Sequence, residues 1–302
     1  MIAVLGSINM DLVAVLVRFP NPGETVLAKA FGRYPGGKGA NQAIAAARMK
    51  AQVAFFGKTG RDPFGDELLE GLKKNEIDVQ SVEREEGIPS GTASIWVADN
   101  GENIIAYAPG ANATVDPAYV DRVLPRLCTA NVLLLQFETP LVTIGYLLQR
   151  LPPESPLVIL DPAPAQNIRD LPLERVDIIT PNRGELTALT NEKELEKAAH
   201  KLLELGAKRV ICKDGENGSY LIERTRTHHF APFPVDPVDT TAAGDAFNGA
   251  LAAALAKGRS VEEAVLWANA AGALATTRRG AQPSLPTATE VETLLHDSPV
   301  GP

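Results

Sequence analysis

Short apolar runs alternate with amphipathic stretches over most of the chain. The apolar runs are too short for helices and are rich in Val, Ile and Leu, which is typical of strands that are covered on both faces. Alternation of such strands with helices predicts an α/β fold, in which a doubly wound, mostly parallel sheet carries helices on both faces. The predicted strands are Ile2–Leu5, Val53–Phe56, Val132–Gln136, Leu157–Leu160, Asp177–Thr180, Arg209–Cys212 and Ser219–Ile222.

Several predicted helices have recognisable ends. An N-cap acid followed by Pro marks a helix start, as does a Ser or Thr with Glu three residues later, and Gly commonly follows a helix end. The start signals occur at Asp62-Pro63, Asp116-Pro117, Ser260–Glu263 and Thr287–Glu290, and the end signals at Gly206 and Gly258.

Two regions, at about residues 12–35 and 91–108, break this rhythm because strand-like alternation occurs there without an intervening helix. We expect them to form a small antiparallel sheet that projects from the main body as a lid, within a single domain of residues 1–302. A projecting sheet with apolar faces must cover a bound ligand or a copy of itself. The pattern leaves both open, and we expect the sheet to close over a ligand and also to pair with that of a second subunit in a homodimer. The tail after His296 is expected to be frayed.

Composition narrows the class of protein. Of the 302 residues, 45% are hydrophobic and 22% are charged, as in ordinary globular proteins, and the net charge is −8. Because Lys and Arg are scattered, we expect neither nucleic acid nor a membrane as a partner. Cys128 and Cys212 lack metal-ligand spacing and are predicted to be buried free thiols. With no basic leader and no apolar run of about 18 residues, the chain is predicted to be cytoplasmic.

The segment Asp239-Thr240-Thr241-Ala242-Ala243-Gly244-Asp245 is a turn of small residues that runs directly into an Ala-rich helix. Small side chains at a helix start let an anion approach unpaired backbone N–H groups, which the helix dipole also favours. Asp245 could then take a proton from a hydroxyl while those N–H groups hold phosphate charge, as phosphoryl transfer to an alcohol requires. An acid in the first turn also serves as an ordinary dipole or capping residue, and spacing alone leaves both interpretations open.

A second glycine-rich segment, Gly36-Gly37-Lys38-Gly39-Ala40-Asn41, also enters an Ala-rich helix. Its glycines would let the backbone approach a ligand closely, and Asn41 offers a donor and an acceptor to sugar hydroxyls. The sequence contains neither the P-loop pattern nor the dinucleotide-binding fingerprint. Ligands of open α/β sheets bind beyond the carboxyl ends of the strands, and the polar residues expected there are Gly6–Asp11, Glu138, Asp161, Asn182, Glu185 and Lys213–Gly215.

Both glycine-rich segments match signatures of a known family. The blocks at residues 36–43 (GGKGANQA) and 239–251 (DTTAAGDAFNGAL) resemble those of the ribokinase family of carbohydrate kinases. Further runs are similar in order and spacing: Gly6–Asp11, Gly110–Ala113, Leu135–Glu138, Pro162–Ala165, Thr180–Asn182 and Thr277–Pro286. The resemblance covers nearly the whole chain and implies an ATP-dependent sugar kinase with a doubly wound sheet and a lid.

The resemblance also implies roles for individual residues. Asp245 would be the catalytic base that takes the proton from the sugar's primary hydroxyl, and the sugar would be held by Asp11, Gly37, Lys38, Asn41, Glu138 and Asp245 itself. The anion hole for the γ-phosphoryl group would be formed by Ala242, Ala243 and Gly244. ATP would lie against Asn182, Lys213, Gly215, Gly218, Gly244 and Asn269, and Glu185 would belong to the Mg²⁺ region.

A monovalent cation, chiefly K⁺, is a further activator that the resemblance implies. The residues that would coordinate it are Asp239, Thr241, Ala275, Arg278, Gly280 and Ser284. All but Asp239 and Ser284 would contribute backbone carbonyls, and the ion would order the anion-hole loop. Two positions depart from the family pattern. Lys213-Asp214 replaces a common Thr-Leu, which places new charges beside the nucleotide, and Asp161 replaces a common Asn.

The predicted reaction is transfer of the ATP γ-phosphoryl group to the 5-hydroxyl of D-ribose. Two acids and an Asn suit a neutral polyol, whereas a phosphorylated sugar would require more cations than Lys38. The alternatives are a related kinase acting on deoxyribose, fructose, a ketodeoxy sugar acid or a nucleoside, and, more remotely, a non-catalytic sugar sensor. Aromatic residues make up only 5% of the chain, which argues against a stacked nucleoside.

Overall fold

Strands and helices alternate along the chain in the computed structural model, which describes residues 1–298. The strands are β1 (Ile2–Leu5), β2 (Asn9–Leu16), β3 (Ala28–Gly36), β4 (Val53–Gly60), β5 (Asp78–Glu85), β6 (Gly91–Ala98), β7 (Asn103–Ala108), β8 (Val132–Gln136), β9 (Leu157–Asp161), β10 (Ile178–Ile179), β11 (Val210–Lys213), β12 (Ser219–Ile222) and β13 (Thr227–Phe230). The helices are α1 (Lys38–Arg48), α2 (Pro63–Lys74), α3 (Pro117–Leu127), α4 (Leu141–Arg150), α5 (Arg183–Thr190), α6 (Leu195–Glu204), α7 (Ala243–Ala256), α8 (Val261–Thr276), α9 (Ala281–Ser284) and α10 (Ala288–Asp297).

The main sheet has nine strands in the order β13-β12-β11-β10-β9-β8-β1-β4-β5. Neighbours from β11 to β5 pair in parallel, and β12 and β13 are added antiparallel at one edge. The predicted mostly parallel α/β sheet is therefore confirmed, and every predicted strand lies in it. The prediction missed β5 and β13, because these edge strands carry charged or polar residues and do not form buried apolar runs.

β1, an interior strand of the main sheet, illustrates how the core is built. Ile2 and Val4 point to one face of the sheet and Ala3 and Leu5 to the other, and all four side chains are fully buried. The first face packs against α1, α7 and α8, and the second packs against α3, α4 and α6. Because both faces are covered, polar side chains can reach solvent or a ligand only near the ends of these strands.

The helix boundaries follow the predicted capping signals. Asp62 accepts a hydrogen bond from the Gly65 N–H, and Asp116 accepts one from the Tyr119 N–H, both over 2.7 Å. Capping boxes form at the starts of α8 and α10, as expected. α10 ends at Asp297, one residue past His296. The rest of the tail that is predicted to fray, residues 299–302, lies outside the described residues.

A second sheet of four strands, in the order β3-β2-β6-β7, lies where the lid was predicted, and we call it the lid sheet. The prediction that it is entirely antiparallel was wrong, because β2 and β6 pair in parallel. β2 follows β1, and β6 follows β5, after short loops. Since β1 and β5 run in the same direction within the main sheet, the two lid strands that continue from them also run in the same direction.

Two further predictions concern the environment of the chain. No helix within residues 1–298 is long and apolar enough to cross a membrane. Both cysteines are free thiols, but only Cys212 is fully buried, whereas Cys128 is half-buried. The cytoplasmic location stays a prediction from the sequence.

Candidate active site

α1 begins directly against the loop that follows β1. A Cβ on Gly39 would lie 2.7 Å from the Ser7 backbone nitrogen, and one on Gly37 would lie 2.8 Å from the Asn9 nitrogen. Gly37 also has a φ of 89°, which a residue with a side chain rarely adopts. The close approach that these glycines permit is to the chain's own loop, and it fixes where Lys38 and Asn41 lie.

The predicted sugar residues come from both sheets. Glu138, which follows β8, accepts hydrogen bonds from Ser7 Oγ over 2.5 Å and from the Lys38 backbone N–H over 3.1 Å. Asp11 lies within lid strand β2, not in the loop after β1. Its Oδ2 would be 2.4 Å from a Cβ placed on Gly36, so that the adjacent lid strand also requires glycine there. A ligand held by Asp11 and Glu138 would therefore contact the lid sheet and the main body together.

Asp245 is tied to α1 through two side-chain amides. Asn41 Nδ2 donates to Asp245 Oδ2 over 3.0 Å, and Gln42 Nε2 donates to Asp245 Oδ1 over 3.1 Å. The Gln42 Nε2 also donates to Asp161 Oδ2 over 2.8 Å, so that one amide links two carboxylates. Asn41 Oδ1 is buried and has no hydrogen-bond partner among the described residues. It can therefore accept a hydrogen bond from a sugar hydroxyl placed beside Asp245.

The start of α7 has backbone geometry that suits an anion. Ala242 precedes the helix with a φ of 59°, a strained conformation for a residue with a Cβ. Within residues 1–298, the N–H groups of Gly244 and Asp245 have no acceptor, whereas the Ala243 N–H donates to the Thr240 carbonyl over 3.2 Å. The Ala243 N–H, which was predicted to face the anion, therefore forms a hydrogen bond within a turn in this structure. The free N–H groups and the helix dipole remain available to an anion.

The buried acids of this region hold their protons more tightly than usual. Burial raises the pKa of Asp245 to about 6; the Lys38 ammonium opposes this rise and Asp161 adds to it. Burial, together with the charges of Glu138 and Asp245, raises the pKa of Asp11 to about 7. Burial would lower the pKa of Lys38, but the carboxylates around it, led by Asp245, raise it above its usual value. Asp245 would thus change protonation near neutral pH, where a general base works best.

A cavity of about 930 Å³ lies beside the start of α7. The residues predicted to contact the nucleotide all line it, together with Lys38 and Asp245: Asn182, Lys213, Gly215, Gly218, Gly244 and Asn269. Nδ2 of Asn269 is buried there without an acceptor among the described residues, which suits recognition of a polar ring edge. One wall, at residues 232–237 and including the buried Phe233, was missed from the sequence because it matches no motif.

Asn182 and Glu185 form a capping box at the start of α5. Each backbone N–H donates to the other side chain over 2.8 Å. This structural role accounts for part of the N-x-x-E motif, which the sequence linked only to Mg²⁺ and phosphate. Within residues 1–298, no cluster of three Asp, Glu, His or Cys side chains could hold a metal ion. Contact through the Glu185 carboxylate alone would fit an ion that keeps most of its ligands as water and phosphate oxygens, as Mg²⁺ does.

Of the residues predicted for a monovalent cation, Thr241 and Gly280 contact Asp239. Its Oδ1 accepts from the Thr241 N–H over 2.9 Å, and its Oδ2 accepts from the Gly280 N–H over 2.8 Å. The Asp239 N–H donates to the carbonyl of Thr276, the neighbour of Ala275, over 3.0 Å. These contacts join the loop before α7 to the segment after α8. The Ser284 hydroxyl donates to the Ala281 carbonyl over 2.8 Å, and the guanidinium of Arg278 contacts Glu290 on α10.

The two departures from the family pattern contact each other. Lys213 Nζ lies 3.0 Å from Asp161 Oδ1, and the side chains are only 14% and 2% exposed. The carboxylate at position 161, which the sequence left unexplained, is therefore the partner of the ammonium at position 213. A separation of 52 positions gave the sequence no reason to pair them.

The buried amides of Gln42, Gln136 and Asn112, for which no role was predicted from the sequence, support the site. Gln136 Nε2 donates to Gln42 Oε1 over 2.8 Å, which orients the amide that reaches Asp245. Asn112 accepts from the Ile8 N–H over 3.0 Å and donates to Asn9 Oδ1 over 2.7 Å, which fixes the loop after β1. Each amide lies in a run that resembles the family, so the signal was present, but only the geometry shows what each one holds.

The family model of the pfkB family carbohydrate kinases matches residues 1–288. This chain belongs to the pfkB family. A ribokinase of Bacillus subtilis is 39% identical over 294 residues, covering 97% of this chain and 99% of that protein. A deoxyribokinase of Salmonella typhi is 35% identical over 293 residues, covering 94% and 95%.

Solved structures agree with this assignment. The ribokinase of Thermotoga maritima has a TM-score of 0.92 at 41% identity, covering 98% of this chain and 99% of that one. The Arabidopsis thaliana ribokinase, complexed with ribose and ATP, has a TM-score of 0.93 at 33% identity with the same coverage. The resemblance drawn from the two glycine-rich segments is thus confirmed, and this pfkB family member is an ATP-dependent sugar kinase.

Proposed function

We propose that this chain transfers the γ-phosphoryl group of ATP to the 5-hydroxyl of D-ribose, giving D-ribose 5-phosphate and ADP. The observation that carries the proposal is the position of Asp245. Its carboxylate is hydrogen-bonded to Asn41, a predicted sugar residue, and it also lines the cavity predicted to hold the nucleotide. Ribokinases among the close relatives, one of them complexed with ribose and ATP, support ribose as the acceptor.

In this reaction Asp245 accepts the proton of the 5-hydroxyl while the hydroxyl oxygen forms a bond to the γ-phosphorus. The bond between the γ-phosphorus and the β,γ-bridging oxygen breaks, and ADP leaves with that electron pair. The free N–H groups of Gly244 and Asp245 would hold charge on the transferring oxygens. A pKa of about 6 leaves Asp245 mostly ionised at neutral pH and still basic enough to assist the transfer.

The proposed sugar site suits a neutral polyol. Asp11 and Glu138 accept hydrogen bonds from hydroxyl groups, and Asn41 Oδ1 adds an unpartnered acceptor next to the base. A sugar phosphate would place further negative charge beside these acids, with Lys38 as the cation at hand. Because Asp11 belongs to the lid sheet, closure over the sugar would exclude water and limit wasteful hydrolysis of ATP.

Mg²⁺ is proposed to enter with the nucleotide. Glu185 lines the cavity and would contact the ion through water, since its Oε2 already accepts from the Asn182 N–H. When bound, the ion would neutralise charge on the β- and γ-phosphate oxygens.

K⁺ is proposed to bind beside Asp239 as an activator. The donors would be oxygens of the loop before α7 and of the segment after α8, which Asp239 already ties together. Oxygen donors of this kind suit hard cations. A cation held there would order the loop that leads into the anion hole without touching either substrate.

A homodimer through the lid sheets is proposed from an apolar row across the sheet. Phe31, Ala14, Trp96 and Ile104 lie in register on β3, β2, β6 and β7. Phe31 is 69% exposed and Ile104 is 50% exposed. Side chains alternate along a strand, so this row lies on the face opposite Asp11, where a bound sugar would not cover it. Sedimentation should detect a dimer that Phe31→Glu dissociates; a monomeric wild-type protein would contradict the proposal.

ADP release with a panel of acceptors tests the proposed function directly. The panel is ribose, deoxyribose, fructose, ketodeoxygluconate and adenosine, each with KCl or with tetramethylammonium chloride at equal ionic strength. A preference for ribose that K⁺ enhances would support both the sugar and the activator. A preference for deoxyribose or another acceptor would overturn the substrate and keep the kinase site. Lack of activity with every acceptor would favour an acceptor outside the panel or the sensor alternative.

A further inference from the structure

Asp161 and Lys213 form an ion pair at the point where the predicted sugar site meets the nucleotide cavity. Both residues line the cavity, and both side chains are largely buried. Burying two charges costs desolvation free energy, and apolar residues of similar volume are often at least as stabilising. Stability of the fold therefore gives no sufficient reason for this pair, which suggests a role in the chemistry of the site.

Lys213 lies over the first turn of α7. A Cβ built on Gly244 would be 3.4 Å from Lys213 Nζ, an ordinary contact distance. The Gly244 N–H has no acceptor within residues 1–298. The ammonium and the free N–H therefore lie at the same helical turn and would attract the same anion.

The two carboxylate oxygens of Asp161 contact two different side chains, those of Lys213 and Gln42. Oδ1 contacts the Lys213 ammonium, and Oδ2 accepts from Gln42 Nε2 over 2.8 Å. Since Gln42 is itself held by Gln136, the carboxylate is anchored and can fix the ammonium in turn. The pair also balances charge: without Lys213, Lys38 would be the nearby cation left to offset both Asp161 and Asp245.

We propose that Lys213 binds the phosphate chain of the nucleotide at the first turn of α7, and that Asp161 is the positioning residue that holds its ammonium there. A lysine acts on phosphate as a point charge, so its position decides its effect. The proposal rests on the proposed function for the identity of the anion, and it makes each member of the pair depend on the other.

Binding of ATP and of adenosine, measured by calorimetry without sugar, tests the proposal separately from turnover. Lys213→Thr should weaken ATP binding by about tenfold or more and leave adenosine binding unchanged, because only ATP carries the phosphate chain. Asp161→Asn should weaken ATP binding by a smaller factor, and Lys213→Arg, which keeps the charge, should stay within about threefold of wild type. Equal losses for ATP and adenosine would overturn the proposal.

The double variant Asp161→Asn/Lys213→Thr tests the dependence of each residue on the other. The charged groups around Asp245 and its neighbour Lys38 also include Asp11, Glu138, Asp161, Glu185 and Lys213, and Lys213→Thr leaves their balance more negative. The pH at which kcat falls on the acidic side should therefore rise in Lys213→Thr. It should return to the wild-type value in the double variant, which removes one charge of each sign. A purely structural role of the pair would not produce this shift and its reversal. An unchanged acidic limb in Lys213→Thr, or effects on ATP affinity that simply multiply in the double variant, would contradict the proposal.

Two controls keep these outcomes interpretable. Lys208→Thr removes a lysine that pairs with Asp177 over 2.6 Å outside the cavity, and it should change neither ATP affinity nor the pH profile. If Lys213→Thr does not fold, the double variant and Lys213→Arg test the proposal in its place. The double variant should bind ATP more weakly and adenosine as well as wild type does. A double variant with wild-type ATP affinity would overturn the proposal. A wild-type protein that binds ATP but phosphorylates no sugar would contradict only the proposed function.

Discussion

The side-chain amide of Asn41 donates to Oδ2 of Asp245 over 3.0 Å, although the two residues are 204 positions apart. This hydrogen bond joins the starts of α1 and α7, the helices that follow the two glycine-rich segments. It leaves Asn41 Oδ1 beside the carboxylate as a buried acceptor that has no partner within residues 1–298. A hydroxyl that donates to this oxygen would be placed within reach of the proposed base.

Replacing Asp245 with Asn should lower kcat by at least about 10²-fold, the low end for loss of a general base. Sugar affinity should be nearly unchanged, because the variant keeps the size of the side chain and an oxygen that can accept from one of the neighbouring amides. Steady-state kinetics and calorimetric sugar binding measure the two effects. Asp116→Asn is a matched control, since Asn is an equally good N-cap for α3 and the site is remote. Near-wild-type turnover in Asp245→Asn would remove this residue from the role of base.

Activity should fall as the pH decreases through the pKa of Asp245, about 6, because the base works in its ionised form. The profile of kcat/KM for the sugar should begin to fall at higher pH than a single group would require, since Asp11 also gains a proton near pH 7. These acids interact, so the limb reports the coupled group and not one residue. An activity that stays flat from pH 8 to pH 5 would contradict the raised pKa values.

The same pKa values predict the opposite trend for the stability of the free protein. An acid whose pKa is raised on folding contributes stability that is present below its unfolded value of 3.8 and is lost as the pH rises through its folded pKa. Thermal unfolding of Asp245→Asn should therefore show a gain over wild type that grows as the pH rises from about 4 to about 6 and then levels off. A gain that is independent of pH would mean that the pKa of Asp245 is not raised.

Asp11→Ala should weaken sugar binding before it affects nucleotide binding. The change removes a half-buried carboxylate that faces Glu138 and Asp245, and hydrogen bonds to a charged acceptor contribute about 1.5–3 kcal/mol. KM for the sugar should therefore rise about tenfold or more, while ATP affinity stays unchanged. Sugar binding followed by calorimetry makes the comparison. An unchanged sugar affinity would show that the proposed sugar site is misplaced.

Gly249→Ala should push α1 and α7 apart. A Cβ at this position would lie 2.4 Å from the Ala45 Cβ and 2.7 Å from the Gln42 carbonyl, and backbone atoms cannot give way as a flexible side chain can. We expect a loss of about 1–3 kcal/mol in the free energy of unfolding, together with a lower kcat because the Asn41–Asp245 contact spans these helices. Gly71→Ala is the matched control: a Cβ on this α2 glycine meets no atom, so the change should stabilise by about 1 kcal/mol. Equal effects of the two substitutions would contradict the packing argument.

Much of the main sheet could be predicted because buried parallel strands require apolar runs. Ile2–Leu5 and Val132–Gln136 were predicted with the bounds that the structure shows. Edge strands could not be predicted in this way, because they are partly exposed to solvent and tolerate polar residues, as Thr227–Phe230 does. The direction of β6 beside β2 also escaped, because strand polarity depends on where the preceding loop leaves the main sheet.

The candidate site was predicted unevenly for a related reason. Asp245 stood out because its neighbours in the sequence already imply an anion site at a helix start. Gln42 and Asp161 act across long separations in the sequence, and a buried hydrogen bond of this kind leaves no local pattern. The Asn182–Glu185 capping box was a local signal, but the family motif at the same residues obscured it.

The division of the site between two sheets has a kinetic consequence. Asp11 belongs to the lid sheet, whereas all residues that line the nucleotide cavity belong to the main body. A ligand shifts a conformational equilibrium only through contacts that differ between the two states. The sugar touches both sheets and therefore favours the closed arrangement, while ATP alone has no contact that would do so. ATP should accordingly bind to the open form without closing it, so that the cell's standing ATP pool is not consumed when no acceptor is present.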